Sequence, residues 1–268
     1  MQYAEILLEK SSSLCSQSRL DFLTAAFIGK PYLENPLGEG EQAKFDQSPR
    51  WRFDGFDCVT YVNTVLALYF SSSWYEFEYH LAHLNYYGGN VRFENRFHFM
   101  SVDWNTENAA QGYVYDFTSQ LRDENDLPLC CYAYATINKP AWIHSKSAKF
   151  HTLAGSRHIQ RTDACTPYLS LGDIFTATGE INAEILDQLP KIAVVEIVRP
   201  GWNLVKQIGT QLNISHVGFL IKRNQHYLFR HASQTSRTVV EQLLVDYLKN
   251  FLASPTIKGI NVQGISGC

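Results

Sequence analysis

Three side chains in this sequence could together carry out nucleophilic chemistry on a carbonyl group: Cys58, His216 and His231. A cysteine nucleophile needs a base that takes its proton and later gives that proton to the leaving amine. The base in turn needs a third group that fixes its tautomer and orientation. Cys58 can supply the nucleophile, His216 the base and His231 the orienting group. The set predicts hydrolysis or transfer of an acyl group.

Cys58 falls at the start of a helix predicted within residues 51–70. The polar, turn-forming pair Asp54 and Gly55 precedes it, and apolar residues recur behind it at spacings of three and four. The first turn of a helix carries unpaired N–H groups and the positive end of the dipole, which favour an anion. We therefore expect Cys58 to lose its proton more readily than an ordinary cysteine. The alternative is a small buried apolar side chain, the usual state of a free cysteine.

His216 and His231 fall on two predicted strands, 215–221 and 226–233, that are joined by the short connection 222–225. In an antiparallel hairpin the start of one strand lies beside the end of the next. His216 opens the first strand and His231 lies near the end of the second, so the two imidazoles should be neighbours at one rim of the sheet. A helix packed on that sheet could present Cys58 to the same rim.

The remaining pattern predicts an α+β chain whose N-terminal helices pack on a C-terminal antiparallel sheet. Helices are expected at 2–10, 17–29, 74–87 and 241–251, and strands at 129–137, 192–198 and 258–265. Residues 114–118 look extended, and residues 127–165 are the least informative part. No repeat, low-complexity tract or composition break indicates a linker, so residues 1–268 are expected to form one domain.

Composition excludes several classes of function. The net charge of −3 gives no general attraction for nucleic acid or anionic membranes. No apolar run reaches the length of a transmembrane span, and no secretory signal is visible at the start. The compartment stays open between cytoplasm and periplasm, or another exported location, because the chain could be a mature form.

The six cysteines do not predict a metal site. Only Cys130 and Cys131 are close together, no Cys-x-x-Cys pair occurs, and no cofactor or metal is expected. In an oxidising compartment, a disulfide from this pair to Cys165 is an open alternative.

Three sequence blocks resemble the catalytic blocks of NlpC/p60-type cysteine peptidases: Phe-Asp-Cys-Val-Thr-Tyr at 56–61, Ser-His-Val-Gly-Phe at 215–219 and His-Ala-Ser at 231–233. More narrowly, the chain resembles the N-acetylmuramoyl-L-alanine amidase-like family, formerly a domain of unknown function, over roughly residues 20–250. The narrower resemblance rests on Val59-Thr60, the block from Arg96 to Trp104, the pair Asp116 and Thr118, and the early segments 31–32 and 37–38.

The resemblance implies a papain-like fold with a family-specific insertion around 90–190. It also implies a peptidoglycan amidase that cuts between the muramoyl lactyl group and L-Ala, with a preference for 1,6-anhydro-muramoyl ends. Its catalytic residues fall on Cys58, His216 and His231. Arg96 is then the candidate for binding an acidic group of the muropeptide, and its guanidinium suits that role. Asp103 and Trp104 either shape the sugar pocket or brace the loop.

Three alternatives stay open from the sequence. The bond cut could lie deeper in the stem peptide, which would make the protein an endopeptidase. The chain could be a muropeptide-binding module without activity, or an acyltransferase that passes the thioester to an amine instead of water. Peptidoglycan fragments are the expected partners in each case. Asn63 occupies a position where many relatives carry Glu, so specificity is less well determined than chemistry.

Overall fold

The computed structural model describes residues 2–268, in which helices form one layer against a sheet. The helices are α1 (Gln2–Ser11), α2 (Ser16–Ala25), α3 (Cys58–Tyr69), α4 (Trp74–Asn85), α5 (Asn105–Ala110), α6 (Lys139–His144), α7 (Leu171–Ile174), α8 (Ala183–Asp187), α9 (Val205–Ile208) and α10 (Leu244–Lys249). The strands are β1 (Val114–Asp116), β2 (Cys130–Asn138), β3 (Arg161–Ser170), β4 (Ile192–Leu204), β5 (Thr210–Arg223), β6 (His226–Ser233), β7 (Thr238–Leu243) and β8 (Gly259–Ile265).

All eight strands belong to one antiparallel sheet. Its order is β2-β3-β8-β4-β5-β6-β7, and β1 also pairs with β8. The predicted mixed α+β class is therefore confirmed. Strands from the middle of the chain, β1 to β3, extend the same sheet as the C-terminal strands.

Each face of the sheet has its own hydrophobic core. One face carries Val217 and Phe219 of β5 and packs on α1 to α4. The opposite face carries Leu220 and Phe229 and packs on α7, α8 and α10. Alternation along β5 and β6 thus sends neighbouring residues into different cores, as a sheet covered on both sides requires.

Helix α3 is the central helix of the first core. Nine of its twelve residues are buried, in an unbroken run from Tyr61 to Tyr69. The predicted helix is confirmed, but the expected single apolar face is too narrow a description. Because α2, α4 and the sheet surround α3, its threonine, asparagine and aliphatic side chains are enclosed on nearly every side.

Two predicted elements differ from the structure. The closing helix expected from 241 begins only at Leu244, since residues 238–243 pair with β6 as strand β7. The polar region after β2 contains strand β3, which pairs with β2 over nine residue pairs. In both places the strand is determined by pairing with a neighbour, which local periodicity does not report.

No helix among residues 2–268 has the length and apolar character that a membrane crossing requires.

Candidate active site

Cys58 is the first residue of α3, and a capping box fixes the start of this helix. The Asp57 side chain accepts a hydrogen bond from the backbone N–H of Thr60 at 2.8 Å, and the Asp57 N–H donates to the Thr60 hydroxyl at 3.0 Å. Such reciprocal bonds satisfy two of the unpaired donors of the first turn. The cap therefore holds the Cys58 side chain at a defined position, half-buried at the end of the helix.

His216 and His231 contact each other directly. Nε2 of His216 and Nδ1 of His231 are 2.7 Å apart, and the ring centroids are 4.7 Å apart. Strands β5 and β6 are joined by Asn224 and Gln225 alone, with Asn224 in the left-handed region that tight hairpins use. The predicted hairpin and the proximity of its two histidines are confirmed.

Gly218 makes this contact sterically feasible. A Cβ atom at this position would lie 2.7 Å from Cβ of His231 and 2.7 Å from a ring carbon of Phe229. Real Cβ atoms do not approach other atoms so closely, so any larger residue would push β6 and its histidine away from His216. Gly218 on β5 is therefore required for the contact between His216 and His231.

The N-terminal end of α3, which carries Cys58, contacts the β5–β6 hairpin near Val217. The backbone N–H of Val217 lies close enough to the Cys58 thiol to act on its pKa in the lowering direction. The Tyr247 ring on α10 lies near both imidazoles, with centroids 5.2 Å from His231 and 6.4 Å from His216. Tyr247 is also close enough to Cys58 for a thiolate there to raise its pKa. Through Val217 and Tyr247, the head of α3 that carries Cys58 and the His216–His231 pair therefore adjoin the same region of the fold.

The resting protonation of these groups differs from the sequence-based expectation. Burial, and secondarily the neighbouring Asp57 carboxylate, raises the pKa of the Cys58 thiol to about 12. The N–H groups of Val217 and Val59 act in the opposite direction but are outweighed. The expectation that the helix N-terminus would ease proton loss is wrong, because desolvation of a thiolate exceeds the effect of the first turn.

Both histidines are neutral as well. Burial lowers the pKa of His216 to about 4, and burial together with the neighbouring His216 lowers that of His231 to about 3. A neutral thiol thus faces neutral imidazoles near pH 7. A neutral imidazole can accept a proton only at a ring nitrogen that does not already carry one, and a preformed thiolate–imidazolium pair is not the resting form.

Gln242 on β7 extends the imidazole chain, and the sequence analysis did not identify it. Its Nε2 lies 2.8 Å from Nε2 of His231. Val240 is the strand partner of His231, so Gln242 lies one pleat further along on the same face. The residue was missed because 241–251 was predicted as helix. Recognising residues 238–243 as a strand beside His231 would have revealed it.

Arg96 is placed in a groove near this site but is already engaged by acidic residues. Its Nε donates to Glu39 at 2.8 Å, and its Nη2 donates to Asp46 at 3.0 Å as well as to Glu39. Two carboxylates offset its single charge. Tyr86 adds a hydrogen bond to the same Glu39 oxygen at 3.3 Å. Arg96 therefore ties the 39–46 loop to its own segment in this conformation.

Asp103 and Trp104 lie in a π-helical turn, Met100–Trp104, and have relative exposures of 1% and 0%. Asp103 accepts hydrogen bonds from the Tyr87 hydroxyl at 2.8 Å and from the Lys139 ammonium. The Trp104 indole N–H donates to Asn63 of α3 at 2.7 Å. Both side chains thus have partners within the protein, in a geometry suited to bracing the loop against α3.

The cysteines outside the site are free thiols, and the open alternative of a disulfide is not realised. In the β2–β3 register, Cys165 lies opposite Tyr134, whereas Cys130 lies opposite Leu169. Cys131 and Cys130 are three and four residue steps from Tyr134 along β2, which separates them from Cys165 by roughly 10 and 13 Å, beyond the reach of a disulfide. Among residues 2–268, no three His, Cys, Asp or Glu side chains gather as a metal site.

The sequence profile of the N-acetylmuramoyl-L-alanine amidase-like family, AmiA-like, matches residues 22–256, most of the chain and all three of the clustered residues. The chain belongs to this family. Comparison with curated proteins finds no match. Family membership indicates an amidase-type hydrolase whose substrate is related to peptidoglycan.

Solved structures agree with this placement. The crystal structure of a protein from Legionella pneumophila str. Philadelphia 1 has 37% identity and a TM-score of 0.92, covering 98% of this chain and 93% of its own. An N-acetylmuramoyl-L-alanine amidase from Bacteroides uniformis has 18% identity and a TM-score of 0.68, covering 94% of this chain and 99% of its own. At this lower identity the likeness is one of fold.

Proposed function

We propose that this member of the amidase-like family is a papain-like, NlpC-type cysteine amidase acting on muropeptides. The bond cut is the amide between the N-acetylmuramoyl lactyl group and L-Ala, with 1,6-anhydro-muramoyl ends as the preferred substrates. The single observation that carries the proposal is that Cys58, at the head of α3, lies beside Val217 and Tyr247, which adjoin the contacting His216–His231 pair. Family membership and the amidase fold of the Bacteroides uniformis protein support it.

In the proposed first step, the Cys58 sulfur attacks the amide carbonyl carbon while His216 takes the thiol proton. The carbonyl oxygen becomes an oxyanion that the backbone N–H of Cys58 stabilises. As the tetrahedral intermediate collapses, the C–N bond breaks and His216 gives its proton to the departing amine of L-Ala. A muramoyl thioester remains on Cys58. Water activated by His216 then hydrolyses the thioester to a free muramoyl carboxylate and the free thiol.

Gln242 governs which nitrogens can hold protons during these steps. With its amide nitrogen donating to Nε2 of His231, that ring carries its proton on Nδ1 and donates it to His216. The remaining proton of neutral His216 is then on Nδ1, where it prevents the ring from acting as a base toward Cys58. When His216 is an imidazolium, its Nε2 must donate to Nδ1 of His231. The proton of His231 is then on Nε2, which needs an oxygen as its hydrogen-bond acceptor.

Rotation of the Gln242 amide by half a turn places its carbonyl oxygen at His231 and reverses the whole chain. His231 then accepts from Nε2 of His216, and Nδ1 of His216 becomes free to take the thiol proton. Hydrogen-bond direction in such a chain is set by the group at its end. We assign this role of setting the tautomer to Gln242.

The test is incubation of the wild type and Cys58→Ala with purified anhydro- and reduced muropeptides, followed by mass spectrometry. The proposal expects free stem peptide and sugar-only products from the wild type, and no turnover by Cys58→Ala with an unchanged circular dichroism spectrum. Hydrolysis by Cys58→Ala would overturn the nucleophile assignment. Sugar still attached to L-Ala in every product would identify an endopeptidase, and adducts formed with added amines would identify an acyltransferase.

A further inference from the structure

We propose that Lys146 binds a free carboxylate of the peptide portion of the substrate and so determines which way a muropeptide lies across the site. The inference rests on the proposed amidase function. It names a residue that neither the motifs nor the sequence pattern brought forward, and it assigns to Lys146 the anion contact that the sequence analysis expected from Arg96.

Lys146 is a cation without an anionic partner. Its ammonium lies over the Trp142 ring at 4.3 Å and about the Phe150 and Phe93 rings at 5.8 and 6.0 Å. Within residues 2–268, no carboxylate oxygen lies within 4 Å of its Nζ and no hydrogen bond engages that atom. The side chain is half-buried, and burial together with Arg96 lowers its pKa.

The other charged groups nearby are already paired. Arg96 contacts both Glu39 and Asp46, and the second oxygen of Asp46 accepts from the Ser48 N–H at 3.1 Å. Lys146 thus keeps all three ammonium protons available in a surface that aromatic rings shield from water. A partly desolvated cation of this kind gains more from a carboxylate than one in open water does.

The position of Lys146 relates it to the proposed chemistry. It lines a groove together with Asn35, Arg96, His98, Trp142 and Ile214. Ile214 precedes His216 by two residues on β5. Asn35, Arg96 and His98 also line the adjoining groove, whose wall includes Asp57 and Val59 on either side of Cys58. A substrate held at Cys58 can therefore extend along a continuous surface to Lys146.

Charge complementarity then orients the substrate. The lactyl carboxyl of the muramoyl unit is consumed in the amide, so a 1,6-anhydro-muramoyl sugar carries no charge. The stem peptide retains free carboxylates on its side chains and at its end. The anionic half of the substrate is the peptide, and Lys146 draws that half into the aromatic groove.

The experiment compares two muramoyl peptides that differ only at the second stem residue, one with a free carboxylate and one with the matching amide. We expect the wild type to favour the acid by about tenfold in kcat/KM, which corresponds to one charge-assisted contact. Lys146→Met should reduce this preference to less than twofold, and Lys146→Arg should retain it. Lys149→Met is the matched control because Lys149 is exposed, does not line the groove and donates to the Phe45 carbonyl; it should keep the full preference.

Equal cleavage of acid and amide by the wild type would overturn the inference, as would a tenfold preference that survives in folded Lys146→Met. If Lys146→Met does not fold, the inference is judged on the acid-over-amide preference of the wild type and of Lys146→Arg. Loss of the preference in either protein would overturn it. If the wild type cleaves neither substrate, the proposed function fails. Calorimetric binding of both peptides to Cys58→Ala then tests Lys146 alone: tighter binding of the acid supports the site, and equal or absent binding rejects it.

Discussion

At Cys58 a favourable helix position and an unfavourable environment oppose each other, and the environment dominates. The first turn of α3 offers N–H groups, yet the thiol is desolvated and lies next to the Asp57 carboxylate. A neutral thiol beside neutral histidines is less reactive toward adventitious electrophiles than a permanent thiolate. The substrate is then needed to exclude water and to align the carbonyl before the proton moves.

Replacing Asp57 with Asn should make Cys58 more reactive. Asn retains an oxygen that can accept from the Thr60 N–H, so the cap is preserved, whereas the charge that raises the thiol pKa is removed. We expect alkylation of Cys58 by iodoacetamide at pH 8 to accelerate several-fold, read by peptide mass mapping because five other cysteines are present. Asp54→Asn, at an exposed position, is the control. An unchanged rate in Asp57→Asn would show that the carboxylate does not act on the thiol.

The acidic limb of the kcat/KM–pH profile should fall at a pH well below the ordinary pKa of a histidine base. His216 must be neutral to accept the thiol proton, and its pKa is lowered to about 4, so the active form persists above that pH. At pH 5.5 we expect kcat/KM to stay near its plateau, whereas a base of pKa 6.5 would leave about a tenth.

In Gln242→Glu a carboxylate lies beside His231 and stabilises the protonated form of the His216–His231 pair. The acidic limb of the kcat/KM–pH profile should therefore move to higher pH, by about one unit or more. The kcat/KM profile of both proteins on one muropeptide provides the measurement. A wild-type limb near pH 6.5 that Gln242→Glu leaves unchanged would contradict this account.

Strand β4 carries a buried carboxyl that the proposed mechanism does not use. Glu196 is fully buried at the centre of the sheet, where Asn105 donates to one of its oxygens at 3.0 Å and the other oxygen has no partner among residues 2–268. Burial, and secondarily Asp116, raises its pKa to about 8. The group is therefore largely protonated near neutral pH, and ionising it destabilises the strand.

Glu196→Gln should stabilise the protein at alkaline pH. A folded pKa above the unfolded value of about 4.5 means that stability is full below pH 4.5 and is lost as the pH rises through 8. Gln keeps an acceptor for Asn105 and cannot ionise. The gain in unfolding free energy should be small near pH 4.5 and reach roughly 2–4 kcal/mol at pH 9. Urea unfolding at both pH values measures it, with the exposed Glu184→Gln as control; a gain independent of pH would exclude ionisation as its cause.

Elements with strong local signals could be predicted from the sequence, and those determined by partners could not. Helix α3 followed from its apolar periodicity and the turn-forming residues before it, and the β5–β6 hairpin followed from its short connection. Strand β7 did not, because its pairing with β6 outweighs a helix-compatible pattern. The contact between His216 and His231 could be predicted from motifs and hairpin geometry. The protonation of the site could not, because desolvation depends on what surrounds the site.

The same limit applies to substrate contacts. Arg96 had the right chemistry for an anion, but its partners Glu39 and Asp46 lie more than forty residues away in the chain, where no local pattern connects them. Lys146 falls within residues 127–165, the least informative part of the sequence. Only the three-dimensional structure shows that Arg96 is paired with carboxylates and that Lys146 is not.

In the molecule as a whole, one buried arginine joins the helical layer to the sheet. Arg230 of β6 donates to the Asp21 carbonyl at 2.9 Å and to the Thr24 hydroxyl at 2.6 Å on α2, and forms ion pairs with Asp21 and with Glu241 of β7. It directly precedes His231. The cluster therefore fixes the strand that carries the imidazole to the helices that surround α3.

Arg230→Leu should destabilise the protein by about 2–4 kcal/mol, since it leaves two partly buried carboxylates with only the more exposed Arg223 as a cationic partner. For a chain of this size that loss lowers Tm by roughly 5–15 °C, measured by calorimetry. Arg223→Leu is the matched control, because Arg223 also pairs with Asp21 but is 48% exposed. Its loss should be below about 1 kcal/mol. Equal effects of the two substitutions would show that burial of Arg230 carries no special weight.

The division of the site between two layers has a kinetic consequence. Cys58 lies on α3, while its proposed proton acceptor His216 lies on β5, more than 150 residues later in the chain. Neither half can hydrolyse anything before the layers dock. During renaturation from urea, far-ultraviolet ellipticity should recover before hydrolytic activity does. The delay between the two signals would measure the time that the two layers take to dock.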